Sequence, residues 1–312
     1  MLQYLIILLD DTSTSFCHYE NTRTERRLIP IETLKQGIRF GMMENLMIQF
    51  VYSDYELPTE YAEVIESIDH SKIKPMATDA DVLVLNEWTL PTDAEDIPLV
   101  LRTSMEELFA RYRELEEVLK KCQRLNVVIT DVETFTEEDF NTYKEVLTGL
   151  TETLKTLYVG GKAPQLNILT DRMMLKEMNN CGAGDTTITL APNGKFYVCP
   201  AFYYEDEADS IGDLEHGLGI KNNQLYKLEY APICRHCDAY QCKRCVWLNR
   251  KTTLEVNTPS HEQCVVAHLE RNASAELLKN IRKHGTFLPE QEPINEIDYL
   301  DPFDNREKWQ GA

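Results

Sequence analysis

Seven of the nine cysteines in this 312-residue chain fall between Cys181 and Cys264, and their spacing constrains the fold more than any other feature. The order is Cys181, twelve residues, Gly194, four residues, Cys199, then Cys234-x2-Cys237-x4-Cys242-x2-Cys245, and last Cys264. Cysteines two residues apart bring both thiolates to one metal centre across a tight turn, with the intervening N–H groups placed to hydrogen-bond the sulfurs. Thr187 to Cys199 reads as two alternating strands around Asn193-Gly194, a hairpin whose turn needs positive φ and aims Cys199 back beside Cys181. Cys234, Cys237, Cys242 and Cys245 alone would suit one tetrahedral zinc, and that alternative stays open. Seven thiolates, however, make one complete four-ligand site and one site of three, a shortfall that an iron-sulfur cluster tolerates and structural zinc seldom does. The remaining position falls to a non-cysteine side chain, water or a substrate.

The rest of the chain sets the compartment and excludes some partners. Met1 to Leu9 is apolar but has no basic n-region and runs into Asp10-Asp11 without a small-residue cleavage site, so a buried strand is the better reading than a signal peptide. A cytoplasmic location follows as an expectation, and there clustered thiols hold metal more often than they form disulfides. No apolar run approaches the ~20 residues of a membrane helix. With 52 acidic against 32 basic side chains, a net charge of -20 repels a phosphate backbone and argues against nucleic acid.

Over the first 175 or so residues, apolar runs alternate with helical patterns. Leu2 to Leu9, Met47 to Tyr52, Asp81 to Leu85, Leu99 to Leu101, Asn126 to Ile129, Thr156 to Val159 and Leu166 to Leu169 read as strands. Pro30 to Asn45, Thr59 to Ile68, Met105 to Arg124 and Thr136 to Leu154 read as helices. The alternation predicts an α/β fold with a parallel sheet. It is too short for the ~250 residues of a complete eightfold barrel, so a partial (β/α)6-type barrel fits, with an open doubly wound sheet as runner-up. No Gly-rich phosphate loop follows the first strand. Composition divides the chain into a barrel region (1–176), a cysteine-rich region with a closing helix near Val265 to Lys283 (177–286), and an acidic tail (287–312) that is disordered or laid across the surface.

The order Cys, Gly-x4-Cys, Cys-x2-Cys, two further Cys and a last Cys, with Tyr197-Val198-Cys199-Pro200 and Ile211-Gly212-Asp213-Leu214, resembles the SPASM domain of radical SAM peptide-modifying enzymes. The middle spacing in that family is x2, x5, x3, against x2, x4, x2 here. The resemblance implies two auxiliary 4Fe-4S clusters, the first on Cys181, Cys199 and Cys245, the second on Cys234, Cys237, Cys242 and Cys264. Zinc is the alternative.

A radical SAM enzyme of this kind carries Cys-x3-Cys-x2-Cys after its first barrel strand. Here Cys17 holds the first position, while Asn21 and Thr24 occupy the other two, and neither replaces a thiolate on soft iron. Tyr52-Ser53-Asp54 stands where the family has Gly-Gly-Glu, and Asn126 to Asp131 lacks the glycines of a later strand. SAM is therefore not expected as a cofactor. The chain looks like a pseudo-radical-SAM protein, a degenerate barrel followed by a SPASM-like domain, and Leu9 to Tyr19 resembles the CXXX repeat peptide maturase family. That resemblance implies maturation of a ribosomally synthesised, cysteine-containing peptide, with the precursor peptide and a modification-system protein as partners and electrons passed through the clusters. Catalysis by the chain itself stays open. Two alternatives remain: a redox enzyme acting on a substrate thiol at an open cluster position, and a zinc-stapled, non-catalytic binding module. Cys17, beside His18 at the carboxyl end of the first strand, is a weak catalytic candidate, and Cys122 belongs to a helical pattern.

Overall fold

The computed structural model describes residues 1–75, 79–85, 88 and 96–295. In chain order the strands are β1 (Tyr4–Leu8), β2 (Met47–Val51), β3 (Ser71–Pro75), β4 (Val82–Leu85), β5 (Leu99–Thr103), β6 (Arg124–Ile129), β7 (Gln165–Leu166), β8 (Thr187–Leu190), β9 (Lys195–Tyr197), β10 (Gly212–Asp213) and β11 (Gly217–Leu218). The helices are α1 (Ile31–Met43), α2 (Thr59–Ile65), α3 (Met105–Arg111), α4 (Glu114–Leu119), α5 (Glu137–Val159), α6 (Thr170–Met174), α7 (Pro200–Glu205), α8 (Val246–Thr253) and α9 (His261–Arg282). Contacts gather these elements into two units, residues 1–86 with 182–230, and residues 87–181 with 231–312. Compactness thus cuts the chain differently from cysteine content.

In the first unit β1 is apolar throughout because both its faces are covered: Leu5, Ile7 and Leu8 are fully buried. It pairs in parallel with β2 on one side and β8 on the other, and β3 and β4 continue the parallel run. Parallel neighbours need a crossover, which α1 supplies between β1 and β2 and α2 between β2 and β3. Glycines let α1 lie close on the sheet: a Cβ at Gly37 would overlap the Leu190 side chain, and one at Gly41 would meet Ile48 at 2.8 Å. Beyond β8 the sheet turns antiparallel through β9, β10 and β11. The Asn193-Gly194 turn, with Gly194 at φ +78°, forms the hairpin read from the sequence, and the same hairpin is joined to the chain's first strand.

The second unit holds the parallel strands β5, β6 and β7 and the long helices α5 and α9. A capping box starts α5, with the Thr136 side chain and Asp139 exchanging hydrogen bonds with each other's backbone. Two expectations fail here. Thr156 to Val159, β-branched and aromatic enough to read as a strand, is instead the end of α5. Once nucleated, the helix propagates along its buried stripe of Tyr143, Leu147, Leu150 and Leu154, and that packing outweighs local propensity. Met105 to Arg124 is not one helix but α3 and α4, joined by a tight turn in which Leu115 N–H donates to Tyr112 C=O at 3.1 Å. The break turns Leu115, Val118 and Leu119 inward and frees Arg124 to begin β6. The predicted strand at Leu166 to Leu169 shortens to β7, and β3 went unread because only Ile73 in Ser71-Lys72-Ile73-Lys74-Pro75 is buried.

The first part of the tail lies along this unit. Arg282 Nη2 donates to the carbonyls of Leu288 (2.7 Å) and Gln291 (2.8 Å), and Gln291 Nε2 donates to the Leu175 carbonyl at 3.1 Å. The tail beyond Asn295 falls outside the described residues. No described helix is long and apolar enough to cross a membrane.

Candidate metal centre

The second unit brings four of the seven clustered cysteines around one cavity. Cys234 opens a single turn of 3-10 helix, and Cys237 N–H donates back to the Cys234 carbonyl at 3.1 Å before the chain extends. Ala239 N–H donates to Cys237 Sγ at 3.4 Å, Cys242 N–H to the Ala239 carbonyl at 3.0 Å, and Arg244 N–H to Cys242 Sγ at 3.5 Å. Arg244 adopts φ +45°, a left-handed conformation that a non-glycine residue holds only where its surroundings fix it. Cys264 enters from the first turn of α9, whose Ser260 cap accepts from Gln263 N–H. Cys234, Cys237, Cys242 and Cys264 line the cavity together with His268 and Ala267. These are the four residues that the family resemblance assigns to the second cluster.

The loop is also held by side chains that the sequence reading passed over. Asp238, next to Cys237, is buried, and its Oδ2 accepts from Arg271 Nε at 2.9 Å and Nη2 at 2.7 Å. Arg172 Nε donates to the Asp238 carbonyl at 2.5 Å while its guanidinium lies 4.2 Å over the Tyr240 ring. Gln241 Nε2 donates to the Ala267 carbonyl (2.7 Å) and to Glu270 Oε2 (3.2 Å), and Tyr143 O–H donates to Glu270 Oε1 at 2.9 Å. A signal for some of this was present: Cys264, His268 and Arg271 recur at helical spacing on α9 and share a face. Among the described residues no group of three or more His, Cys, Asp or Glu is arranged to hold a metal ion. The four thiols surround a space instead of converging on a point.

Burial dominates the electrostatics. It pushes the Cys237 thiol up to about 12, and it raises the Cys242 thiol as well. Such thiols stay protonated at neutral pH until a bound cation replaces the solvation they have lost. Burial likewise raises the Glu270 carboxyl to about 7, against the opposing hydrogen bonds of Gln241 and Tyr143. An unfolded glutamate titrates near ~4.3, so the folded chain holds an extra proton between that pH and about 7. The stability linked to this proton is complete below the unfolded value and is lost as pH rises through the folded one, on the order of 3 kcal/mol in all. Glu270→Gln should flatten that slope: urea midpoints at pH 5 and pH 8 should lie closer together in the variant than in the wild type, and equal separations would dismiss Glu270 as the titrating group.

The other predicted ligands are placed as follows. Cys245 is half-buried at the start of α8. Cys181 is exposed, and its N–H donates to the Lys243 carbonyl at 3.2 Å, which ties it to the same loop two residues before Cys245. Cys199 belongs to the first unit, half-buried before α7. Cys122 is buried and its thiol is pushed up to about 11 by that burial, in keeping with a core residue.

In the first unit, the loop after β1 is closed by polar contacts at Asn21, which stands in place of the second cysteine of the radical SAM pattern. Asn21 Nδ2 donates to the carbonyls of Asp11 and Ser13, both at 2.9 Å. Its own N–H donates to Ser15 Oγ (2.9 Å), and its Oδ1 accepts from Arg23 N–H (3.0 Å). Asp11 is buried, paired with Arg27 at 2.7 Å and Arg23 at 3.4 Å, and it accepts from the Tyr203 hydroxyl. Cys17 is half-buried in this loop.

No protein-family model matches the sequence, and comparison with curated proteins gives no match. Solved structures do match. Native anSMEcpe with bound AdoMet and Cp18Cys peptide aligns with a TM-score of 0.62 at 12% identity, over 90% of this chain and 99% of that one. Native anSMEcpe with bound AdoMet aligns at 0.60 and 11%, over 89% and 99%. At such identity the likeness extends to the fold alone: the chain shares with these structures a mixed α/β architecture with a large parallel sheet.

Proposed function

We propose that this chain serves the maturation of a ribosomally synthesised, cysteine-containing peptide, binding the precursor or its modifying partner and passing electrons through metal clusters. It does not cleave SAM itself. The observation that carries this reading is the cavity lined by Cys234, Cys237, Cys242 and Cys264. An all-sulfur donor set suits iron-sulfur chemistry, and backbone N–H groups already point at two of the sulfurs. These four residues would hold one 4Fe-4S cluster, and Cys181, Cys199 and Cys245 would hold a second with one position open. When bound, such clusters supply one-electron transfer. Residues 1–176 are on this reading a degenerate radical-SAM-like partial barrel, and 177–286 a SPASM-like domain.

Support for a peptide partner comes from the neighbour solved with Cp18Cys peptide. The case against SAM cleavage is Asn21, which offers an amide where the cluster needs a thiolate and hydrogen-bonds to Asp11, Ser13, Ser15 and Arg23. The test is anaerobic purification followed by iron and acid-labile sulfide analysis, then incubation with SAM and dithionite. Iron and sulfide in amounts for two clusters, no 5'-deoxyadenosine above the control, and tighter binding of a spaced-cysteine peptide than of its serine counterpart are expected. Tightly bound zinc without sulfide would sink the cluster assignment, and accumulation of 5'-deoxyadenosine in a clean preparation would show that the loop is catalytic after all.

A further inference from the structure

His268 stands one helical turn after Cys264 on α9, so both side chains leave the same face. It is 7% exposed and lines the four-cysteine cavity. Its Nε2 lies 3.5 Å from Cys237 Sγ, which already accepts from Ala239 N–H at 3.4 Å. Cys237 is thus approached by a side-chain nitrogen as well as a backbone one. A thiolate bound to iron has no proton to give, so the contact is favourable only if the imidazole carries its hydrogen on Nε2 and donates it.

We propose that His268 is a positioning residue for the four-cysteine centre, donating Nε2–H to the Cys237 sulfur and thereby raising the centre's affinity for an electron. This rests on the cluster reading above. Reduction adds negative charge that spreads onto the ligating sulfurs, and a hydrogen bond to a charged acceptor strengthens as the charge on it grows. The reduced state therefore gains more from the donor than the oxidised state. One electron enters from an external one-electron reductant, and no bond to a proton is made or broken.

Two variants separate this role from simple packing. His268→Leu keeps an apolar side chain in the buried position but removes the donor, whereas His268→Gln places an amide N–H near the Nε2 position. Each is purified anaerobically, assayed for iron and sulfide, and titrated with dithionite while the reduced centre is followed by electron paramagnetic resonance. Iron should be unchanged in both variants. The leucine variant should be about tenfold harder to reduce, a shift of about 59 mV to more negative potential for a one-electron couple, and the glutamine variant should recover most of the difference. Equal potentials in wild type and His268→Leu would overturn the inference, as would lost iron in His268→Leu, which would make the imidazole a ligand. Wild-type protein free of iron and sulfide would overturn the cluster reading and this inference with it.

Discussion

Cys237→Ala should strip most of the iron from one site and lower the thermal midpoint, while Cys17→Ala leaves both close to wild type. Cys237 lies on the cavity shared with Cys234, Cys242 and Cys264, so its loss leaves three sulfurs around the space. Structural zinc sets the scale, with ~10 to 16 kcal/mol of binding coupled to folding in small metal domains. Even a quarter of that rivals the ~5 to 15 kcal/mol net stability of a domain. Cys17 is half-buried in a loop held by Asn21 and Asp11, and its truncation should cost roughly 1 to 2 kcal/mol. Soluble yield, iron content and thermal midpoint of the two variants, made side by side, decide the matter. Equal iron and equal stability would remove Cys237 from the ligand set.

The second large effect is at Asp238. Asp238→Ala strands two guanidinium groups, those of Arg271 and Arg172, that are themselves buried. Breaking a buried pair by removing one partner costs ~3 to 5 kcal/mol, because the surviving charge has neither solvent nor counter-ion. The damage should extend to the four-cysteine cavity, since Asp238 lies between Cys237 and the Ala239 amide that bonds its sulfur. A surface pair serves as control: Glu276→Ala disturbs exposed contacts with Lys279 at 3.5 Å and Asn280 Nδ2 at 3.1 Å and should cost ~0 to 1 kcal/mol. Urea denaturation of the metal-free forms isolates the clasp from the cluster. If Asp238→Ala and Glu276→Ala unfold at the same urea concentration, the clasp contributes nothing of consequence.

What was legible in the sequence was periodic or chemically conspicuous. β1, α1, the Asn-Gly hairpin and α9 follow from apolar spacing and turn chemistry, and the grouping of Cys234, Cys237, Cys242 and Cys264 followed from their resemblance to a known order. Long-range pairing was not legible. Nothing local to Thr187 to Leu190 says that this strand lies beside Tyr4 to Ile7 in parallel, because register between distant segments depends on the whole sheet. Nor does any local pattern join Arg172 and Arg271 to Asp238, since ion pairs between separate elements leave no periodic trace. The strand reading of Thr156 to Val159 failed for the opposite reason: local propensity was read correctly and was overruled by a helix already growing through it.

The position of β8 has a consequence for how the chain acquires its structure. Tyr4 pairs with Met47 but also with Thr187, so one flank of the first strand must wait for a segment made much later. During synthesis β1 to β4 emerge with one hydrogen-bonding edge of β1 unpaired while the intervening residues of the second unit are still being added. Contacts of such sequence separation slow folding, because loop closure is paid before the pairing rewards it. The exposed strand edge is a template for pairing with other chains during that interval. Recombinant yield should therefore respond to translation rate and temperature even in variants whose finished fold is as stable as the wild type's.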